Sequence, residues 1–305
     1  MTNSLGSDML QVAINLFSRL PFALLYLLGD LFAWLAYHVT KYRRAIVFAN
    51  LENSFPQASK TEIRQMARDF YRHFFQTLVE MLKAKHFEAE DWHKRVRATN
   101  PEILASYLNR GQSIILMTGH VANWEWAAGG VNTAITHPLS VLYKRIKDPV
   151  FAKLMHDIRS RGGVNLVEKD SALRYLVKTK NDQQIIGIIS DQIPSKGAEK
   201  YWINFLNQET AFYRGAEKFV KLLKTPVFYL DMRKSKRGFY QISFEELYDG
   251  TSDLSEGKVI HRYAKKLEET ITARPSDYLW SHRRWKYTKE EAMKVTGNPF
   301  KIITD

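Results

Sequence analysis

His120 and Glu125 are the residues whose types and spacing most suggest chemistry, within the run Thr118-Gly119-His120-Val121-Ala122-Asn123-Trp124-Glu125. An imidazole is the side chain best suited to moving protons near neutral pH. Four residues separate it from the glutamate, so one helical turn would bring the carboxylate back beside the ring. A carboxylate on one ring nitrogen fixes the tautomer and leaves the other nitrogen as a base. The bland alternative is a hydrogen-bonded structural histidine near a strand end. The flanking residues supply elements that would position the pair. Ser113 to Met117 is a short apolar run that reads as a buried strand. Gly119 breaks it, and Asn123 starts a helix over Trp124 to Val131. His120 then stands at the carboxyl end of a strand just ahead of a helix, where ligands gather in α/β sheets.

The wider stretch Gly119-His120-Val121-Ala122-Asn123-Trp124-Glu125 resembles the motif of lysophospholipid-type acyltransferases, a His followed after four residues by an acid. More narrowly it is similar to the Gly-His-x-x-Asn-Trp-Glu form of the lipid A biosynthesis (late) acyltransferases. Asn50-Leu51 with Phe55-Pro56, Arg159-Ser160-Arg161-Gly162, Asp191-Gln192 and Trp280-Ser281-His282-Arg283-Arg284-Trp285-Lys286 resemble further stretches of that family. The resemblance runs from the first helix to Lys286. Phe205-Leu206-Asn207 departs from the Phe-Phe-Gly-like turn of many members, which leaves the acceptor open.

The resemblance implies a bacterial enzyme that adds a secondary acyl chain to a lipid A precursor. It implies acyl-acyl carrier protein as co-substrate rather than a bound cofactor, and a Kdo-bearing precursor as acceptor. His120 would be the catalytic base and Glu125 the group that orients it. Asn123, Arg159, Arg161, Asp191 and Gln192 would bind substrate. The enzyme would sit at the bacterial inner membrane, its catalytic domain on the cytoplasmic side and in contact with membrane phospholipid.

Several of these residues carry a second reading. Arg159 and Arg161, beside Gly162 and Gly163, suit a bidentate phosphate clamp or a helix carboxyl end closed by cations and glycine. Asp191-Gln192 ends an apolar strand over Ile185 to Ser190, either as site residues or as a turn that caps backbone. The Arg- and Trp-rich Trp280 to Lys286 suits an anionic lipid interface or a solvated basic tail.

The chain has 305 residues and is 45% hydrophobic, enough for one large domain with a real core. It lacks cysteine, which excludes disulfides, thiolate metal sites and a thiol nucleophile. No metal-binding, phosphate-loop or dinucleotide motif is present. The net charge of +13 suits nucleic acid, anionic membrane or an acidic ligand. Residues 1 to 8 read as a frayed polar end. Leu20 to Val39 is an apolar stretch with one charge, Asp30, and with Pro21 near its start. It is long enough to cross a bilayer, although a central Asp costs on the order of 3 kcal/mol there. The alternatives are an interfacial helix with Arg19 and Asp30 turned to water, or a buried core helix. Lys41, Arg43 and Arg44 follow it as a basic flank. The expected organisation is a membrane-associated segment over residues 1–44 and an acyltransferase domain over 45–305.

Ser59 to Glu62 reads as a capping box opening an amphipathic helix to about Lys85. Strands are expected at Leu139 to Tyr143, Val164 to Val167, Ile185 to Ser190, Pro226 to Asp231 and Tyr240 to Tyr248. Helices are expected at Asp148 to Arg161, Ser171 to Lys178, Phe212 to Leu223 and Ser255 to Thr272. The alternation predicts an α/β fold, a mostly parallel sheet flanked by helices as in glycerolipid acyltransferases, with an N-terminal membrane-associated helix. One rival function is acylation of another glycolipid or lysophospholipid from acyl-CoA or acyl carrier protein. A rival of a different class is a basic nucleic-acid-binding protein, opposed by the apolar N-terminal stretch and by the lack of any such signature.

Overall fold

The computed structural model describes residues 3–252 and 254–296. In chain order the elements are α1 (Asn3–Arg19), α2 (Phe22–Trp34), α3 (Arg44–Ser54), α4 (Lys60–Ala84), α5 (Ala89–Arg95), β1 (Val96–Ala98), α6 (Glu102–Leu108) and β2 (Ile114–Thr118). They continue with α7 (Trp124–Ala134), β3 (Leu139–Tyr143), α8 (Pro149–Arg161), β4 (Asn165–Glu168), α9 (Ala172–Lys178), β5 (Ile185–Ile189), β6 (Lys200–Phe205) and β7 (Gln208–Tyr213). The chain ends in α10 (Gly215–Leu223), β8 (Val227–Lys236), β9 (Phe239–Tyr248), α11 (Lys258–Ala273) and α12 (Lys289–Thr296). Residues 1 and 2 of the expected frayed end lie outside the described residues, and the helix already begins at Asn3.

The main sheet has seven strands in the order β1-β9-β8-β2-β5-β3-β4. Its neighbours pair parallel except β8 and β9, which form an antiparallel hairpin. The α/β architecture, a mostly parallel sheet flanked by helices, is therefore as the alternation predicts. Strands β2 and β5 are almost wholly Ile, Leu and Met and lie at the centre, where both faces are covered. The turn between β8 and β9 is Arg237-Gly238, and Gly238 supplies its positive φ of 73°.

Helix α4 spans 25 residues and starts at the expected box: Ser59 Oγ accepts from the Glu62 N–H at 3.3 Å, and Glu62 accepts from the Ser59 N–H at 2.7 Å. Ile63, Ala67, Phe70, Tyr71 and Val79 lie on its buried face.

Pro21 restarts the apolar stretch, as a proline there predicts: it separates α1 from α2, and Leu35–Val39 then widens into a π-helical turn. One expectation is corrected. The helix expected from Phe212 starts only at Gly215, because Phe212 belongs to β7, which pairs with β6 in a separate antiparallel hairpin. Pairing with β6 buries Thr210, Ala211 and Phe212 together and wins over the helical periodicity that begins just after them.

Candidate active site

Register builds the site. Strands β2 and β5 pair with Thr118 opposite Ile189, so the residues two positions beyond each, His120 and Asp191, emerge side by side at the carboxyl edge. His120 Nδ1 stands 2.6 Å from Asp191 Oδ1, and the His120 backbone N–H donates to Asp191 Oδ2 at 3.1 Å. Both carboxylate oxygens thus hold one residue. His120 is 13% exposed and Asp191 only 3%. Burial works against a charge on the ring, but the Asp191 carboxylate outweighs it and raises the His120 pKa above the ordinary value. For Asp191 burial opposes ionisation too, and His120 overcomes it, lowering the carboxyl pKa. With Nδ1 held by the carboxylate, Nε2 is the nitrogen left to act as base.

Gly119 makes this approach possible. A Cβ there would stand 2.6 Å from Leu267 Cδ1 of α11. Ala122 then takes φ = 52°, a left-handed conformation that costs a non-glycine residue about 1–3 kcal/mol. Packing on both sides holds it. Its N–H donates to the Asp277 carbonyl at 2.9 Å, and His73 Nε2 lies 3.2 Å from its carbonyl. The segment after α11 also pairs with the turn, through the Val121–Tyr278 bridge and the Leu279 N–H to the His120 carbonyl at 3.2 Å.

Glu125 does not touch His120 in the way the spacing suggests. The turn at Ala122 is not helical and α7 starts only at Trp124, so the one-turn geometry of a helix does not apply between them. Glu125 instead accepts two bonds from Arg159, from Nε at 2.8 Å and Nη2 at 2.7 Å. Such a fork-to-fork pair is among the stronger hydrogen-bonded arrangements. Arg159 comes from the last turn of α8. The carboxylate still acts on the ring from nearby, where Glu125 raises and Arg159 lowers the His120 pKa. Trp124 lies edge-on to the imidazole, with centroids 5.2 Å apart.

The remaining expected site residues fall into place unevenly. Gln192 is beside the imidazole, its Nε2 3.3 Å from His120 Nε2. Asn123 is wholly buried. Its Oδ1 caps α7 on the Trp126 N–H at 3.3 Å and its Nδ2 donates to Glu80 at 2.8 Å, so it has no surface to offer a substrate. Arg161 is 52% exposed and faces Glu88 at 3.5 Å, apart from Arg159, so the two guanidinium groups do not form a clamp. On a helix, residues two apart point to different sides. Gly162 and Gly163 close α8 as the capping alternative anticipates.

Some site residues were not singled out by spacing. His282 has its Nε2 3.5 Å from the Ile193 N–H, just past Gln192, and burial pulls its pKa down to about 4. Arg284 is 1% exposed, donates to the Ala211 carbonyl at 2.7 Å and lies over the Phe212 ring. Burial lowers its pKa, while the nearby Tyr278 and Asp191 favour its charge. Both sit in the Trp280 to Lys286 motif, which is thus no solvated tail. Among the described residues no three or more His, Asp or Glu side chains come together as metal ligands would.

A buried carboxylate that aims an imidazole at the edge of a parallel sheet, with an ion pair beside it, is equipment for general-base group transfer. Residues 7–287 match the family described as bacterial lipid A biosynthesis acyltransferase, and the chain belongs to that family. It is 23% identical over 276 residues to the lipid A biosynthesis palmitoleoyltransferase of Escherichia coli, covering 89% of this chain and 88% of that protein. It is 22% identical over 276 residues to a lipid A biosynthesis acyltransferase of Haemophilus influenzae, covering 89% and 87%. A lipid A biosynthesis acyltransferase of Shigella flexneri is similar to the same extent as the first. This protein is accordingly an acyltransferase of lipid A biosynthesis.

Proposed function

We propose that the protein transfers a secondary acyl chain from an acyl-carrier-protein thioester to a hydroxyl of a Kdo-bearing lipid A precursor. The observation that carries the mechanism is the 2.6 Å contact between His120 Nδ1 and Asp191. In this reading Nε2 of His120 takes the proton of the acceptor hydroxyl, a 3-hydroxyl on an acyl chain already in place. Its oxygen attacks the thioester carbonyl directly. The tetrahedral intermediate expels the carrier thiolate, which takes up the proton held on His120. The Gln192 amide occupies the hydroxyl's position beside Nε2 and yields it when the acceptor binds. Glu125 holds Arg159 by two of its nitrogens, leaving the third for an anionic or carbonyl oxygen of a substrate.

The membrane part of the reading rests on α2. Phe22–Val39 is long and apolar enough to cross a membrane, with mean hydropathy 1.5. Yet Leu25, Tyr26, Gly29 and Ala33 are buried, while Leu24, Leu27, Leu31 and Trp34 are exposed on another face. A helix packed on its own protein along one side and apolar on the other fits a bilayer surface better than a crossing. Asp30 supports this, because its carboxylate is 31% exposed and paired with Arg72 and Arg237 at 3.4 and 3.1 Å rather than standing as a lone charge in an apolar helix. The catalytic body then lies on the cytoplasmic side of the inner membrane.

The decisive test is acyl transfer in vitro from a panel of acyl-carrier-protein and CoA thioesters to a purified lipid A precursor. The reading expects product with carrier-protein donors and a loss of about 10²- to 10⁴-fold in His120→Ala. Product from CoA thioesters alone, or transfer only to a lysophospholipid, points to the rival lipid reading.

A further inference from the structure

Behind the His120 turn lies a buried carboxylate that the proposed mechanism does not use. Glu80, on α4, is 0% exposed. It accepts three hydrogen bonds: from Tyr240 Oη at 2.6 Å and Asn123 Nδ2 at 2.8 Å on Oε2, and from Tyr26 Oη at 2.9 Å on Oε1. The donors belong to β9, to the amino end of α7 and to α2. One side chain thus ties the apolar N-terminal helix and strand β9 to Asn123, the residue that ends the His120 turn. Asn123 is itself held at both ends, by Glu80 and by the Trp126 N–H at 3.3 Å. It directly follows Ala122, whose φ of 52° must be maintained by its surroundings.

A buried carboxylate is a poor way to stabilise a core, because removing it from water costs several kcal/mol and apolar groups of the same size do as well or better. What a fully bonded buried network does supply is a single geometry. We infer that Glu80 is a positioning residue for His120, acting through Asn123, and that α2 reaches the catalytic turn through Tyr26 and so belongs to the site as well as to the membrane face. The α2 helix then has two separable tasks, on two faces. Its exposed Leu27 and Leu31 face outward, and its buried Tyr26 faces Glu80. The inference rests on the reading of His120 as the base.

The test uses the full chain in detergent micelles, where membrane attachment does not limit the rate. Glu80→Ala, Glu80→Gln and Tyr26→Phe are compared with wild type for kcat, for KM of both substrates, and for amide hydrogen exchange by mass spectrometry. A displacement of the base of about 1 Å costs on the order of 100-fold in rate. Glu80→Ala is expected to lose about that much in kcat with little change in KM. Glu80→Gln keeps most of the rate, since its carbonyl oxygen still accepts from Asn123 and the two tyrosines turn to suit its amide. Tyr26→Phe loses a smaller factor in kcat, with vesicle binding unchanged. Exchange quickens in residues 119–126 and not in β2. The inference is overturned if, in Glu80→Ala and Tyr26→Phe, kcat per folded molecule and exchange over 119–126 stay at wild-type levels. It is equally overturned if exchange quickens uniformly over the sheet, which assigns Glu80 to the core alone. Should Glu80→Ala fail to fold, Tyr26→Phe decides the question by the same rate and exchange measurements. A wild-type protein that transfers no acyl group sinks the reading of His120, while the exchange data still decide the role of Glu80.

Discussion

The two carboxylates nearest the imidazole differ in what they hold, and mutation separates them. Asp191→Asn keeps size but presents an amide to Nδ1, which favours the tautomer with the proton on Nε2 and removes the base. A wrong-tautomer change of this kind costs on the order of 10⁴-fold in a His–Asp pair. Glu125→Gln breaks the bidentate pair with Arg159 and leaves the Asp191 contact in place, so it is expected to cost less in kcat than Asp191→Asn. Steady-state rates on both variants check this, and the reverse ranking makes Glu125 the orienting group. The pH profile provides a second check. Burial opposes the charge on His120 and Asp191 outweighs it, so the rate of wild type rises with pH through a pKa above the ordinary ~6.5. Glu125 adds to that rise and Arg159 subtracts from it, so in Glu125→Gln the limb moves to lower pH. His120 was legible in the sequence because a glycine, a histidine and a helix start follow an apolar run. Its true partner was not, because Asp191 is 71 positions away and only the register of β2 on β5 brings it near. Asp191 was singled out, but as a substrate ligand.

At the scale of elements, apolar runs and caps read well where one force dominates. The central strands and the capping box of α4 fall where composition puts them. Local pattern failed where a tertiary partner decides. Thr210 and Phe212 are strand residues because β6 lies beside them, and the apolar stretch after Pro21 changes its winding at Leu35–Val39, where Tyr37 packs on Tyr71 of α4. Asp30 is the clearest case. In sequence it is a lone charge in an apolar helix; in the fold it accepts from Gln76 at 2.6 Å and pairs with Arg72 and Arg237. Those bonds and the Gln76 contact lower its pKa against the opposing effect of partial burial. Asp30→Leu therefore discriminates between two positions of α2. A spanning helix loses an intramembrane charge and binds membrane more firmly, with stability unchanged or raised. A helix clamped to α4 loses its polar ties and is destabilised by about 1–2 kcal/mol, given the modest worth of each half-exposed pair. Urea unfolding in detergent measures the second outcome, which the packing of α2 favours.

At the scale of the whole molecule, the surplus of +13 has a place to act. The basic flank follows α2, and Arg43 donates to the Ser281 carbonyl at 2.9 Å. Asn50 of α3 donates to the carbonyls of Trp280 and His282 at 2.8 and 2.9 Å. The same closing segment pairs with Val121 and His120. The His120 turn is thus only one layer of chain from the elements proposed to meet the lipid surface, which suits the proposed acceptor, whose acyl chains would stay in the bilayer while its hydroxyl reaches Nε2. Beside the flank, three cations, Arg44, Lys60 and Arg64, and one carboxylate, Glu52, line with Phe48 an open cleft of about 340 Å³ of net positive charge. Attachment should then have two parts that salt and mutation divide. Basic residues near an anionic surface contribute about 1 kcal/mol each, and this is screened beyond a Debye length of about 3 Å at 1 M salt. Apolar burial of the exposed α2 face is not screened. Leu27→Asp with Leu31→Asp changes only exposed positions, so folding and detergent activity are expected to survive. Binding to vesicles of phosphatidylethanolamine and phosphatidylglycerol should persist for wild type at 1 M salt, weakened, and be abolished there for the double variant. At low salt the double variant should still bind through its cations. Sedimentation with the vesicles at the two salt concentrations measures all four cases. Salt-resistant binding by the double variant would remove α2 from the attachment surface and leave the charge surplus to act elsewhere.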